Sequence, residues 1–328
     1  MQLHPLKVEP QNFSVQAANS ESLHIEPRCS RGLVLHSLLC CLLLFACGCS
    51  TFSRSKAAHQ QVVKSRQLTQ EGIYAMQRGN WDEAERKLKE AKENCPYDIQ
   101  SRTKYAETLW NKQEFHQAIE EMESTIQLSG EDSTLMVQLG TMHFEMGKYQ
   151  EAEQQAEQAI RLTPQLASAW VLKGDIARGK SNLEQARNSY LRAIAIDREL
   201  PEVQLNLAQI FRESGEPHRA LICLNQVENQ HPPGDLPASL LIEQGITYKT
   251  LGRYEDASLV FAEAVKTDSN TPELMFQWAE SEMLAGRLAK AQWIAQQILS
   301  RNPTHANSQQ LMAEIPIRQQ ELVNTLRR

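Results

Sequence analysis

The feature that most restricts the fold is an alanine that recurs at a nearly constant interval. Seven alanines are separated by 34, 34, 34, 34, 37 and 34 residues, namely Ala84, Ala118, Ala152, Ala186, Ala220, Ala257 and Ala291. A second small residue lies twelve positions before each of them, at Gly72, Ala106, Gly140, Gly174, Ala208, Gly245 and Ala279. A fixed period of this length is typical of a repeat architecture, so we predict one array of stacked units.

Within each unit the residues indicate two helices joined by a short turn. A turn glycine occurs in most copies, at Gly79, Gly147, Gly215, Gly252 and Gly286. A bulky residue lies four positions after the alanine in most copies, at Leu88, Met122, Tyr190, Leu224 and Phe261. Small residues allow two helices to approach closely, and the bulky residue fills the space beside them. Because one such pair cannot bury its apolar face alone, the units must stack.

This pattern resembles the tetratricopeptide repeat (TPR) over about residues 65–305. The third copy matches best, with Leu139, Gly140, Gly147, Tyr149, Ala152, Ala159 and Pro164, and Trp170 takes the tryptophan position of the fourth. The second copy departs most, because Gln113 replaces the turn glycine and Gly130 the closing proline. The resemblance implies an all-α fold, a right-handed superhelical solenoid of antiparallel helix pairs.

The register predicts where the parts of the array begin and end. Repeats 1–5 occupy residues 65–234 and are followed by an insertion at 235–237. Repeats 6 and 7 occupy residues 238–305, and a capping helix occupies residues 306–328. Because the connection at 231–237 is longer and rich in proline, we expect a slight change of stacking direction there. We also expect Pro316 to kink the capping helix.

An apolar run precedes the array. Residues 33–49 follow Arg28 and Arg31 and end in small residues and cysteines, in the order of an export signal. The run is too short for an ordinary membrane-spanning helix. Residues 1–32 are an extended basic region of that signal or an overlong gene start, and 50–64 form a polar, basic tether.

The end of this run resembles the bacterial lipobox, in which a small residue precedes a cysteine. The resemblance implies that a cysteine thiol receives a diacylglycerol and becomes the new N-terminus. We favour Cys49, which follows Gly48, with Cys47 as the alternative. The other interpretation is an uncleaved signal-anchor or a buried apolar segment.

The sequence contains no pattern that indicates catalysis or a bound cofactor. Its nine histidines show no metal-ligand spacing, and no phosphate-binding glycine loop or nucleophile motif occurs. The net charge of −6 disfavours nucleic-acid binding. We predict that His143 is a packed core residue and that Cys95 and Cys223 stay unpaired. We therefore expect no enzyme activity, no cofactor, no metal and no small-molecule substrate.

The TPR resemblance implies that ligands lie along the first helices of the repeats. The positions that match include Ile73, Met76, Trp110, Phe144, Arg178, Arg212, Lys249 and Phe276, with Glu107, Val137, Asp175, Leu205, Ile246 and Glu280. Trp110 and Phe144 either anchor a partner peptide or pack against neighbouring helices. The carboxylate clamp of some TPR domains is not reproduced, since Thr69 and Ile73 stand at its positions.

Together these features predict a bacterial lipoprotein that presents a concave groove to protein or peptide partners. We expect a scaffold or assembly factor, held on a membrane of the cell envelope by its N-terminal lipid and facing away from the cytoplasm. Its plan is similar to lipoproteins that support pilus or envelope-complex assembly. The alternative is a soluble cytoplasmic TPR adaptor whose N-terminal segment is a misread gene start.

Overall fold

The computed structural model describes residues 59–232, 234–267 and 271–326. Within these ranges the chain forms fifteen α-helices and no β-strand. The helices are α1 59–77, α2 Trp81–Asn94, α3 Ile99–Asn111, α4 Phe115–Ser129, α5 Ser133–Glu145, α6 Tyr149–Leu162, α7 Ala167–Gly179, α8 Leu183–Ile196, α9 Pro201–Glu213, α10 Pro217–Glu228, α11 Ala238–Thr250, α12 Tyr254–Thr267, α13 Pro272–Leu284, α14 Leu288–Arg301 and α15 Ala306–Leu326. The predicted signal and the lipidation residues Cys47 and Cys49 lie outside the described residues.

The helices pack in the order in which they occur in the chain. Every helix from α2 to α14 contacts the next one, so the pairs α1–α2 to α13–α14 form seven successive repeats. First helices also contact the first helix of the following repeat at α5–α7, α9–α11 and α13–α15. The prediction of an all-α stack of helix pairs is confirmed.

The turn inside each repeat explains the glycines of the sequence pattern. The five turn glycines have φ between 69° and 79°, and the equivalent residues Gln113 and Ser181 also have positive φ, 66° and 59°. Side chains rarely adopt this left-handed conformation, since Cβ crowds the following carbonyl. The turn therefore demands the same backbone in all seven repeats, and glycine is the residue that adopts it without strain.

The small residues of the first helices lie directly against the bulky residues of the second helices. A Cβ added at Gly72 would lie 2.5 Å from Leu88 Cγ, and one added at Gly245 would lie 2.6 Å from Phe261 Cε1. Leu88 and Phe261 are completely buried. The predicted interlock of small and bulky residues is confirmed, and it sets how closely the two helices of a repeat approach.

The core continues from one repeat to the next, including across the proline-rich connection. Val227 of α10 and Leu240 of α11 belong to one buried cluster, although the connection at 229–237 separates them in sequence. A change of stacking direction at this point stays a prediction. At the end of the array, α15 continues through Pro316 without a break. Pro316 is exposed, so water can solvate the carbonyl group that loses its helical partner.

Candidate functional site

The predicted binding residues all belong to the first helices of the repeats, which together form one surface. We call this surface, built by α1, α3, α5, α7, α9, α11 and α13, the first-helix face. The twelfth residue of each repeat lies near the carboxyl end of its first helix, and its chemistry changes along the array. It is apolar in repeats 1–3 and cationic in repeats 4–6: Met76, Trp110, Phe144, Arg178, Arg212 and Lys249.

The two aromatic side chains of this series pack within the array. The Trp110 ring makes an edge contact with Phe115 at 4.7 Å between centroids, and its Nε1 donates to Glu145 Oε2 at 3.0 Å. The Phe144 ring lies 5.8 Å from the Tyr149 ring. Trp110 and Phe144 are half-buried against the core. Both rings therefore pack against neighbouring helices, and only part of each ring is accessible to a ligand.

The three cations each bind the first helix of the next repeat. Arg178 Nη1 donates to Asn206 Oδ1 at 3.1 Å. Arg212 forms an ion pair with Glu243 across the proline-rich connection. Lys249 Nζ donates to Gln277 Oε1 at 2.7 Å and pairs with Glu280. These side chains hold successive repeats together. The charges of Arg212 and Lys249 are matched by carboxylates of the chain, whereas Arg178 binds a neutral amide.

The remaining predicted residues lie at the two ends of the first-helix face. Ile73 and Met76 are half-buried on α1, and Met76 packs against the buried cluster that contains Leu88 and Leu109. Phe276 on α13 is half-buried, with its ring 6.0 Å from the ring of His305. The structure does not bring these end residues together with the residues in the middle of the array.

An open apolar groove lies in the middle of the first-helix face. Its volume is about 680 Å³, within the range of roughly 300–1,000 Å³ typical of ligand sites. It spans repeats 3–5 and is lined by Val137, Thr141, Leu166, Ala167, Ser168, Val171, Asp197, Leu200, Pro201, Glu202 and Val203. We call it the central groove. Ser168, Asp197 and Glu202 are exposed at its rim.

Val137 is the one lining residue that the sequence pattern predicted. Thr141, Ser168, Val171 and Glu202 occupy repeat positions at which the TPR resemblance places ligands, so the register could have found them. Leu166 and Leu200 belong to the turns between repeats. The register does not show that these turns fold back to complete the groove.

A polar pair links α7 and α8 of repeat 4, with Tyr190 fully buried and Asp175 half-buried. The Tyr190 hydroxyl donates a hydrogen bond to Asp175 Oδ1 at 2.6 Å. Burial raises the pKa of the Asp175 carboxyl, although the hydrogen bond from Tyr190 opposes this shift. Burial and the bond to Asp175 raise the pKa of the Tyr190 phenol. At neutral pH the phenol is thus a fixed donor that orients the carboxyl group.

His143 and the cysteines have packing roles. His143 is buried, as predicted, and burial with the nearby charge of Lys148 lowers the pKa of its imidazole. Cys95 and Cys223 are free thiols. Burial raises the pKa of the Cys223 thiol, which makes it a poor nucleophile.

The described residues offer no metal cluster. No group of three or more His, Cys, Asp or Glu side chains in these ranges could hold a metal ion. Nor does any helix within the described ranges have the length and hydropathy needed to cross a lipid bilayer.

Comparison with known proteins identifies the repeats. The sequence pattern of the tetratricopeptide repeat matches residues 103–167, 137–202 and 238–271. One curated relative, the BBSome complex member BBS4 of Mus musculus, is 26% identical over 130 residues, which are 37% of this chain and 25% of that protein. The chain thus spans about a quarter of the length of that relative.

Solved structures show the same fold at low sequence identity. The structure of Pseudomonas aeruginosa PilF superposes with a TM-score of 0.57 at 18% identity, covering 68% of this chain and 99% of that one. YrrB, described as a TPR protein with an unusual peptide-binding site, superposes with a TM-score of 0.52 at 15% identity, covering 58% and 96%. TPR folds typically bind proteins or peptides without catalysis. The chain therefore contains tetratricopeptide repeats within residues 103–202 and 238–271, and its described residues have the all-α fold of a TPR solenoid.

Proposed function

We propose that the protein is a non-enzymatic scaffold or assembly factor that binds a protein partner in the central groove. The observation that carries this proposal is an open apolar surface on the face where TPR folds bind peptides. Leu166, Val171 and Leu200 are partly exposed in it, and no other element of the described chain covers it. Apolar area that stays open in a folded protein favours association with a partner, because burial removes it from water.

The similar proteins support binding rather than catalysis. YrrB carries a peptide-binding site in its description, and BBS4 is a member of a complex. In the present chain, Arg212 and Lys249, two of the three first-helix cations, are paired with Glu243 and Glu280. We therefore place partner recognition in the central groove rather than at these cations.

We further propose that a lipid on Cys49, or on Cys47, anchors the protein to a membrane of the bacterial envelope. The support is the order of basic residues, apolar run and small residues before these cysteines. Two nearby cysteines make a direct comparison possible. Metabolic labelling with an alkyne fatty acid should mark the wild-type protein and fail in Cys49→Ser, with Cys47→Ser as the matched variant.

The labelling experiment also distinguishes a membrane-anchored lipoprotein from a cytoplasmic protein. Labelling lost only in Cys47→Ser would move the anchor to Cys47. An unlabelled wild-type protein in the soluble fraction would overturn the anchor and favour a cytoplasmic TPR adaptor. Neither outcome depends on the groove, so anchoring and partner binding are tested independently.

Partner binding is tested with two arginine substitutions on opposite sides of repeat 4. Ser168 is exposed at the rim of the central groove on α7, and Asn188 is exposed on the second helix α8. Partners captured from detergent-solubilised membranes should be lost with Ser168→Arg and kept with Asn188→Arg. Equal capture by both variants would contradict a role for the groove.

A further inference from the structure

The central groove combines an apolar floor with acidic groups at its rim. Its floor includes the side chains of Val137, Val171 and Leu200, and two carboxylates, Asp197 and Glu202, belong to the lining. The lining contains no lysine, arginine or histidine. Formal charge in the groove therefore has one sign, which is the condition for charge-selective recognition.

Two helix N-termini in the same groove carry partial positive charge, which offsets part of the negative charge of these carboxylates. The α7 helix begins at Ala167 and α9 begins at Pro201, and neither N-terminus has a side-chain cap. Each helix end is equivalent to about +0.5 charge, whereas each carboxylate contributes a full negative charge. The sum is about −1 for the groove. The carboxylates thus dominate, and the groove favours a cationic partner.

The positions of the two carboxylates leave them accessible. Both side chains are exposed. Asp197 Oδ1 accepts a hydrogen bond from the Glu199 backbone N–H at 2.9 Å, which fixes the turn without neutralising the charge. Neither carboxylate forms an ion pair with a described residue of this chain. Arg178 on α7 instead donates to Asn206.

From this arrangement we infer that the partner segment presents apolar side chains flanked by lysine or arginine. The inference rests on the proposed function, because it describes what the same groove selects. Apolar side chains remove the floor from water, and the flanking cations pair with Asp197 and Glu202 at the rim. An acidic segment meets like charges there, so the groove discriminates against it.

The test uses labelled host peptides of about ten residues, each with two leucines three positions apart. The leucines are flanked by lysines, serines or glutamates. Binding to the full-length protein in detergent is measured by fluorescence anisotropy. Two exposed charge pairs should make the lysine peptide about two- to thirty-fold tighter than the serine peptide, with the glutamate peptide weakest. Because the groove is open, this preference should shrink as salt rises.

Variants assign the preference to the rim. The double substitution Asp197→Asn and Glu202→Gln keeps the shape and should bring the lysine and serine peptides to equal affinity. Ser168→Arg should weaken the lysine peptide most, whereas the matched Asn188→Arg should change none. These results would support the inference.

Several results would overturn it. They are no binding of the lysine peptide, equal binding of the lysine and serine peptides by the wild type, or an unchanged preference in the double variant. If the lysine and serine peptides bind equally and Ser168→Arg removes both, charge selection fails while the groove remains a binding site. If Ser168→Arg and Asn188→Arg have equal effects, the groove itself fails as the binding site.

Discussion

The contact between Gly174 and Tyr190 allows the repeat packing to be tested quantitatively. A methyl group added at Gly174 would lie 2.5 Å from Tyr190 Cδ1 and 3.0 Å from Cζ. Tyr190 is completely buried, and its hydroxyl is held by Asp175 at 2.6 Å. The ring is rigid and has no free space to enter, so Gly174→Ala must push the two helices of repeat 4 apart.

Two opposing effects determine the size of the change. Overpacking a core typically costs about 1–3 kcal/mol. Replacing glycine with alanine inside a helix stabilises by about 1 kcal/mol. We therefore expect Gly174→Ala to lower the free energy of unfolding by up to about 2 kcal/mol. In a Tyr190→Leu background the clash is relieved, and the same substitution should become neutral or stabilising.

The assay is urea unfolding followed by circular dichroism for the wild type, both single variants and the double variant. Since repeat arrays can unfold in parts, amide hydrogen exchange in α7 and α8 is measured alongside. Gly140→Ala is the matched control, because its methyl group meets a leucine side chain instead of a ring, 2.6 Å from Leu172 Cδ2 and 3.2 Å from Gln155 Cβ. An equal cost of Gly174→Ala in both Tyr190 and Leu backgrounds would refute the interlock.

Three further predictions concern the turn, a half-buried carboxyl and the link across the proline-rich connection. Gln113→Gly should raise the free energy of unfolding by about 0.5–1 kcal/mol, because Gln113 has φ of 66°. The urea midpoint should rise accordingly, and a lowered midpoint would contradict the strain. Burial raises the pKa of Asp175 in the folded state above its value in the unfolded state, so the folded state binds the proton more tightly. Stability therefore falls as the pH rises from the unfolded-state pKa through the folded-state pKa. Asp175→Asn, which keeps an acceptor for Tyr190, should therefore stabilise at pH 7 but not below about pH 3, and a gain that persists at low pH would exclude this cause. Glu243→Gln removes the pair with Arg212 between α9 and α11, and amide exchange in α11 should accelerate about two- to five-fold; unchanged exchange would show that apolar packing alone joins these repeats.

The helix pairs were predictable because their cause is local and repeated. Gly174 and Tyr190 are sixteen residues apart, and the same small and bulky pair recurs in other copies, so their contact follows from the register. The turn conformation followed for the same reason. Gln113 obeys it despite its side chain, because the packing of the adjoining helices imposes the backbone that glycine adopts in other repeats.

The site was less predictable because its contacts depend on neighbouring repeats. Repeat position placed Arg212 on the first-helix face, yet its partner Glu243 lies in the next repeat beyond an irregular connection. Trp110 likewise binds Glu145 of the next first helix. The central groove also depends on the turn residues Leu166 and Leu200, for which the repeat pattern prescribes no side-chain direction.

Photocrosslinking in intact cells tests partner binding in the central groove most directly. A photoreactive amino acid is placed at Ser168 on the rim of the groove and, as control, at Asn188, an exposed residue on the second helix of the same repeat. We predict a discrete crosslinked protein from position 168 that is absent from position 188 and is weakened when Asp197→Asn and Glu202→Gln are introduced. Crosslinks of equal yield at both positions, or only at position 188, would contradict it.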